Sequence, residues 1–266
     1  MVHGKGRRIR LSPYRRFMAD MLHYAMQVPA VPVERRMVLE PLAIVRKQMG
    51  EQRPSWTALF VKGFGLVAEE FAEFRRAYIK LPRPHLYEHP VSICAVAVER
   101  LHRGEHIVLA GLVRAPERQP VQAIHEYLQR LKEAPIESIG YFRRLQFTSQ
   151  LPRPVRRLLW WTTLNWSGYK RAKRLGTCGV SSYGRLGSEQ LRPLCPLTSL
   201  LTFGPIDEVG RVRVRIIYDH RVMDGAQVAR ALCRLEEQMN EQLAGELEYA
   251  ASSTPLRPPH ADRPAA

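Results

Sequence analysis

The sequence has few of the features that define several large classes of protein. It holds four cysteines among 266 residues, and none of them forms a Cys-x-x-Cys pair, which argues against a disulfide framework and against a zinc finger. No stretch approaches the roughly 20 consecutive apolar residues of a membrane-spanning helix. The basic start, MVHGKGRRIRL, has no apolar run behind it, so a secretory signal is not expected. Together these absences predict a cytoplasmic protein whose cysteines are reduced.

Acidic residues are scarce relative to basic ones. The chain has 41 Lys and Arg against 25 Asp and Glu, which gives a formal net charge of +16. A surplus of this size attracts polyanions, among them nucleic acid, anionic lipid and a phosphate-rich cofactor such as coenzyme A. Composition alone does not choose among these partners.

The pattern of apolar residues predicts one α+β domain over residues 1–250 with one large mixed sheet, because strands and helices follow each other without regular βαβ alternation. Helices are predicted from Ser12, over 55–76, over 121–132 and from Asp224. Strands are predicted over 91–98, 107–113, 177–181, 197–203 and 211–218, the first two as a hairpin. Residues 251–266 are small, polar and proline-rich, and this composition predicts a disordered tail.

Residues 141–174, which we name the basic Trp segment, have an unusual composition. They include nine Lys and Arg, no Asp or Glu, and three of the four tryptophans. The preferred interpretation is that the aromatic and leucine side chains pack on the sheet or line a substrate tunnel while the arginines face water. The second is peripheral contact with an anionic membrane at its inner face, with tryptophans at the level of the headgroups. Binding of single-stranded nucleic acid is the least favoured.

Two histidine pairs have a spacing that some metal sites use. They are His85 with His89 and His102 with His106. No cluster of cysteines or carboxylates completes either set, so no metal is expected.

A predicted strand runs directly into His220, and a turn and a helix start follow at Asp224 and Gly225. Histidine exchanges protons close to neutral pH, so one held at the end of a rigid strand can accept a proton from a thiol or a hydroxyl. The same residues also fit a structural role, because Asp224 with Gln227 matches a capping box and Gly225 eases a turn.

The stretch DHRVMDG, with His220, Asp224 and Gly225, closely resembles the His-x-x-x-Asp-Gly signature of the dihydrolipoyl acyltransferase catalytic domain. That domain is the core of 2-oxo acid dehydrogenase complexes and is related to chloramphenicol acetyltransferase. Three more stretches are similar to it: the Arg-Arg start at 8–16, the apolar stretch with a lysine at 60–63, and GTCGVSSYG at 176–184. The resemblance covers roughly residues 7–245, with a poor fit over 135–174.

This resemblance implies a chloramphenicol acetyltransferase-like fold, a homotrimer with active sites between subunits, and acyl transfer between coenzyme A and a dihydrolipoyl-type thiol. In that family pattern His220 would be the general base, and Ser181 would donate a hydrogen bond to the oxyanion of the tetrahedral intermediate. Asp224 would fix the architecture behind the histidine. Ser182 and Gly225 would belong to the substrate site. Acyl-coenzyme A would be a substrate, and no metal would take part.

Three departures from the family pattern modify these expectations. The sequence contains no lipoyl domain, so a lipoyl group would have to be delivered in trans by another protein. The polar end of the chain lacks the apolar C-terminus of the cage-forming enzymes, so a free trimer is predicted. The basic Trp segment replaces a short linker. Two alternatives stay open: acyl transfer to a hydroxyl or amine of a small molecule or lipid, and a catalytically silent trimeric scaffold that binds membrane through residues 141–174. The intact His220 motif counts against the scaffold.

Overall fold

A six-stranded mixed sheet forms the centre of the molecule in the computed structural model, which describes residues 6–253. The strands are β1 (Ala30–Val38), β2 (Arg76–Ile79), β3 (His85–Glu88), β4 (Ile93–His102), β5 (Glu105–Arg114), β6 (Cys178–Ser182), β7 (Ser199–Phe203) and β8 (Arg211–Asp219). The order across the large sheet is β1-β8-β7-β6-β4-β5, and β2 pairs with β3 in a small second sheet. Strand β6 runs parallel to both of its neighbours, and the other pairs are antiparallel. The single large mixed sheet predicted from the sequence is confirmed.

Helices surround this sheet. They are α1 (Pro13–Ala25), α2 (Glu40–Gln48), α3 (Trp56–Glu70), α4 (Val121–Glu133), α5 (Gly140–Gln150), α6 (Arg153–Asn165), α7 (Gly168–Leu175), α8 (Gly225–Gln238) and α9 (Ala244–Ser253), with a π-helical turn at Met239–Leu243 between the last two. Short 3₁₀ turns lie at Gly50–Gln52, Ala72–Arg75, Pro116–Arg118, Ile136–Ser138 and Gly184–Leu186. None of the helices in residues 6–253 combines the length and the apolar character that crossing a bilayer requires.

The central helix is α3, whose residues from Ala58 to Ala68 are all buried. It lies against α4, α8 and strand β6, and the ring of Phe60 stacks on Phe203 of β7 with centroids 4.1 Å apart. A Cβ at Gly65 would lie 2.6 Å from Cγ of Pro116, so the close approach of α3 to the chain after β5 requires glycine there. This packing fixes the sheet from which the candidate site projects.

The hairpin of β4 and β5 turns through Arg103 and Gly104, which have φ values of 50° and 77°. Two left-handed residues in a two-residue turn match the twist of the paired strands, so the predicted hairpin is confirmed. At the opposite edge of the sheet, β1 contains Pro32, which an edge strand tolerates because one side makes no ladder bonds. Strand β1 pairs with β8 up to Asp219 and so supports the end of β8.

Several elements differ from the prediction. The helix expected over 55–76 ends at Glu70, because the residues from Arg76 onward pair as a strand with β3. Strand β1 and helix α2 were not predicted. Residues 251–253 continue α9 and are not disordered; the rest of the predicted tail lies outside the described residues.

The basic Trp segment is folded as helices α5, α6 and α7, and it docks on α1. The buried carboxylate of Asp20 on α1 binds Nε of Arg156 at 2.5 Å and Nε of Arg157 at 2.9 Å. The hydroxyl of Tyr24 donates to the carbonyl of Arg157 at 2.7 Å. The expectation that the arginines of this segment all face water is therefore wrong for these two, which neutralise a buried acid.

Candidate active site

The backbone around His220 is held in place on both sides. The His220 N–H donates to the carbonyl of Pro29 at 3.1 Å, which extends the pairing of β1 and β8 by one residue. The preceding Asp219 is buried, and its carboxylate accepts hydrogen bonds from Nε and Nη2 of Arg221 at 2.9 and 2.7 Å. The Arg221 guanidinium in turn lies 4.5 Å from the ring centre of Tyr78. The ion pair of Asp219 and Arg221 thus fixes the turn from inside, and the His220 side chain points away from it toward solvent.

Arg171 of α7 lies close to the same turn, where its charge interacts with that of Asp219. It is buried and donates to the carbonyls of Tyr78 and Pro196 at 2.9 and 2.8 Å. Burial lowers its pKa to about 10, and the nearby charge of Asp219 opposes that shift. The basic Trp segment therefore supplies an interior cation to the candidate site, which is a second correction to the expectation that its arginines face water.

His220, Asp224 and Gly225 come together at the start of α8. The Nδ1 atom of His220 lies 3.5 Å from Oδ1 of Asp224, and about half of the histidine side chain is exposed. The Asp224 N–H donates to Oε1 of Gln227 at 2.9 Å, so the expected capping interaction is present. A Cβ at Gly225 would lie 3.1 Å from the Tyr218 hydroxyl, which favours glycine at this approach.

Ser181 and Ser182 lie at the end of β6, on the wall of a cavity of about 780 Å³. The Ser181 hydroxyl makes no hydrogen bond with any residue in the part of the chain that the structure describes. The Ser182 hydroxyl is occupied: it donates to the carbonyl of Phe203 at 2.9 Å and accepts from the Gly184 N–H at 3.1 Å. Of the two serines, Ser181 has the hydroxyl that is available to a ligand.

Within one chain the sheet keeps Ser181 far from His220. Ser181 is in register with Thr202 of β7, which is in register with Arg215 of β8. His220 follows Arg215 by five residues, or about 16 Å along the strand direction at ~3.3 Å per residue. The residues that line the Ser181 cavity do not include His220. A single chain therefore does not bring its own serine and histidine together.

Cations on the cavity wall make the Ser181 cavity suitable for an anion. Arg46, Arg53 and Lys132 line it. Arg46 donates to the carbonyl of Pro54 at 2.8 Å and lies 4.9 Å from the ring centre of Trp56. Burial lowers the pKa of Arg46 to about 10, and the charge of Arg53 adds to the shift. Several cations on one cavity wall favour the binding of an anion there.

Sequence reasoning missed the residues that support the site from a distance. Arg171, Arg46 and Arg53 lie in helices or loops far along the chain from His220, and each looks like an ordinary surface cation in a single sequence. Asp219 precedes the histidine directly, and its position before the motif is the one local signal that could have marked it. In residues 6–253 no group of three or more His, Cys, Asp or Glu is arranged to hold a metal.

No protein-family model and no curated protein sequence matches the chain, but solved structures match it over most of its length. The probable dihydrolipoamide acetyltransferase of Listeria monocytogenes is 16% identical, with 89% of this chain and 95% of that chain covered and a TM-score of 0.62. The dihydrolipoamide acetyltransferase of Azotobacter vinelandii is 16% identical, with 91% and 94% covered and a TM-score of 0.63. A chloramphenicol acetyltransferase is 13% identical, with 86% and 96% covered and a TM-score of 0.50.

At these identities the likeness establishes the fold. The chain has the chloramphenicol acetyltransferase-like fold, which the dihydrolipoamide acetyltransferase cores share, and the predicted fold class is confirmed. In the Azotobacter vinelandii enzyme the catalytic roles of a serine, a histidine and an asparagine have been investigated, and that histidine and asparagine are four residues apart.

Proposed function

We propose that the chain is an acyltransferase that moves an acyl group between coenzyme A and a thiol of the dihydrolipoyl type. The observation that carries this proposal is the placement of His220, half exposed at the end of a fixed strand with a carboxylate 3.5 Å from one ring nitrogen. A general base needs that combination of fixed position and access to substrate. The shared fold supports the proposal, as does the four-residue spacing of His220 and Asp224, which equals that of the histidine and asparagine in the Azotobacter vinelandii enzyme.

In the proposed reaction His220 accepts the proton of the incoming thiol on Nε2. Asp224 faces Nδ1 and favours the tautomer with the proton on that nitrogen, which leaves Nε2 as the acceptor. The thiolate sulfur attacks the carbonyl carbon of the thioester, and a tetrahedral oxyanion forms. The bond from that carbon to the leaving sulfur then breaks, and the leaving thiolate takes the proton back from the imidazolium. The same base serves a hydroxyl or amine acceptor with no change in its role.

We place the oxyanion donor, Ser181, in a neighbouring subunit. Support comes from the separation of about 16 Å along the sheet between Ser181 and His220 of one chain. A homotrimer with each site between two subunits unites the two residues. The Ser181 hydroxyl has no other partner among the described residues, and one such donor contributes about 2.7–4 kcal/mol to lowering the barrier. Ser182 and Gly225 would border the substrate, the former at the cavity wall.

The negative charge of coenzyme A matches the positive charge on the wall of the Ser181 cavity. Its phosphates would lie near Arg46, Arg53 and Lys132, where guanidinium groups can bind phosphate oxygens in pairs. The dihydrolipoyl group would arrive on a lipoyl domain supplied in trans by another protein.

A peripheral contact with an anionic membrane is a second candidate function, favoured by one face of α6. Val155 and Leu158 are 41% and 59% exposed and share this face at helical spacing. Arg143 and Arg153 of the same basic Trp segment are also exposed. Leu158→Gln is expected to reduce cosedimentation with vesicles that contain phosphatidylglycerol, and unchanged cosedimentation would remove this candidate.

The test of the acyltransferase is the release of free thiol from acyl-coenzyme A with dihydrolipoamide as acceptor. His220→Ala is expected to lower kcat by about 100-fold or more, because the base is lost. His106→Ala is the matched control, since His106 is also exposed and lies 3.0 Å from a carboxylate, that of Glu99. Loss of activity in His220→Ala alone, with an unchanged elution volume on sizing, supports the base. Equal activity of both variants and the wild type would refute the role of His220.

A further inference from the structure

A second cavity lies where α1 meets the basic Trp segment. Its volume is about 380 Å³, within the range of sites that bind small ligands. Its apolar walls come from α1, α5, α6 and α7, namely from Phe17, Leu145, Phe147, Leu159, Trp160 and Leu175. None of the residues that line it also lines the Ser181 cavity. The two cavities are therefore separate candidate sites.

The charged groups of this second cavity are unbalanced. Its one acid, Asp20, is buried and already bound by two arginines, Arg156 and Arg157. Two further arginines, Arg144 and Arg174, also line the cavity and are exposed. Within residues 6–253 neither of them pairs with a carboxylate, and Arg174 donates only to the Thr163 hydroxyl, at 2.9 Å. The cavity thus presents two cations without a counter-ion beside an apolar wall.

Arg144 and Arg174 also mark one end of this cavity. Both of them, together with Tyr141, line an adjoining cavity of about 430 Å³ that includes a further cation, Arg130. Arg144 and Arg174 are therefore shared by the two cavities, whereas Leu159 and Trp160 line only the first. The first cavity thus offers two unpaired guanidinium groups and an apolar wall to one ligand.

We propose that this space, the amphiphile cavity, binds an anionic amphiphile with one aliphatic chain and a phosphate or carboxylate head. The chain lies against Leu159 and Trp160, where burial of methylene groups stabilises it. The head binds Arg144 and Arg174, whose planar donors match two oxygens of a phosphate or carboxylate. The proposal is independent of the acyltransferase reaction, because it uses none of the residues assigned to that reaction.

The first test concerns the charged end of the cavity. It measures the dissociation constant of decyl phosphate, kept below its micelle concentration, by calorimetric titration of the full chain. The double variant Arg144→Gln/Arg174→Gln is expected to bind about tenfold more weakly than wild type, because two ion pairs with the head are lost and solvent screens both of these exposed arginines. The matched control is Arg143→Gln/Lys173→Gln. It removes the same charge from the same two helices at exposed positions that do not line either cavity. Its dissociation constant should stay within about twofold of wild type.

The second test measures the apolar end. Leu159→Gln is expected to weaken decyl phosphate binding about fivefold, whereas its neighbour Leu158→Gln, which does not line the cavity, should have little effect. Inorganic phosphate and decanol, each with half of the ligand's chemistry, should bind more weakly than decyl phosphate. Thermal midpoints show whether each variant is folded. The charge variants lie at exposed positions, so they decide the question even if Leu159→Gln unfolds.

Four results would overturn the proposal. They are no saturable binding to the wild type, equal weakening in the two double variants, equal affinity for inorganic phosphate and decyl phosphate, and dependence on Leu158 in place of Leu159. The last result would place the ligand on the exposed face of α6, as in membrane contact. None of these results bears on the activity of His220, so the two proposals fail separately.

Discussion

The turn around His220 and the basic Trp segment use charge in different ways. In the turn, acid and base are neighbours in sequence: Asp219 pairs with Arg221 two residues later, and His220 faces Asp224 four residues later. In the basic Trp segment the acid comes from a distant helix, because Arg156 and Arg157 bind Asp20 of α1. Local pairing allows a short motif to be recognised in a sequence. Long-range pairing makes interior cations look like surface cations.

Arg171 connects the two regions. It belongs to α7 of the basic Trp segment, yet it is buried beside the strand end that carries His220. A segment that looks like an addition to the fold therefore helps to hold the candidate active site. We expect substitutions that displace α7 to alter the turn around His220 through the side chain of Arg171.

The largest expected effects are on kcat, and they come from variants of His220 and Ser181 that are tested alone and then combined in one trimer. His220→Ala and Ser181→Ala should each lower kcat by about 100-fold or more, because one removes the proposed base and the other the proposed oxyanion donor. A trimer that contains both variants has two subunits of one and one of the other, so about one third of its sites combine an intact serine with an intact histidine. Activity of about a third of wild type is therefore expected after coexpression and purification through two tags, which removes trimers of a single variant.

The control for this complementation is a mixture of the two variants purified separately and not exchanged, which should stay inactive. Inactive mixed trimers would contradict a site shared between subunits. The turn would then act without the serine of β6.

The next effect concerns stability and tests the link between the regions. Arg171→Met leaves the carbonyls of Tyr78 and Pro196 without donors in the interior, which should cost about 3 kcal/mol of unfolding free energy. Lys173→Met, on an exposed position of the same helix, should change it by less than ~0.5 kcal/mol. Urea denaturation measures both values. Equal values for the two variants would show that Arg171 does not support the turn.

The fold was predictable where the apolar pattern is regular. The hairpin of β4 and β5 and the helix after Asp224 follow from alternation and capping within a few residues. Strand β1 was missed because its burial pattern is irregular and it contains Pro32, so only its pairing with β8 makes it a strand. The end of α3 at Glu70 depends in the same way on the pairing of β2 with β3.

The candidate site was predictable to a similar degree. His220, Asp224 and Gly225 follow from one contiguous motif and are neighbours in the structure. Ser181 was found through a second motif, but its separation from His220 within one chain appears only once the strand register is known. The arginines of the Ser181 cavity carry no local signal, because their position depends on how distant helices pack.

A smaller loss of stability is expected at the buried acid of the segment. Asp20→Asn leaves Arg156 and Arg157 without their counter-charge, and we expect it to lower the unfolding free energy by about 2 kcal/mol. Glu105→Gln is the control, because Glu105 of β5 pairs with Arg15, which lies in α1 like Asp20, near the surface. This variant should change the unfolding free energy by less than ~0.5 kcal/mol. Thermal and urea denaturation give both values. An Asp20→Asn variant as stable as the control would mean that the segment is not anchored by this acid.

The smallest effect separates two adjacent serines by stability alone. Ser182→Ala removes the donor to the Phe203 carbonyl and the acceptor for the Gly184 N–H, so it should lower the unfolding free energy by about 1 kcal/mol. Ser181→Ala removes a hydroxyl without a partner among the described residues, so its unfolding free energy should stay within ~0.5 kcal/mol of wild type. Urea denaturation of the two variants, with equal slopes against denaturant, makes the comparison. If Ser181→Ala proved the less stable of the two, its hydroxyl would be structural, and a free donor for the oxyanion would have to come from another residue of the cavity wall.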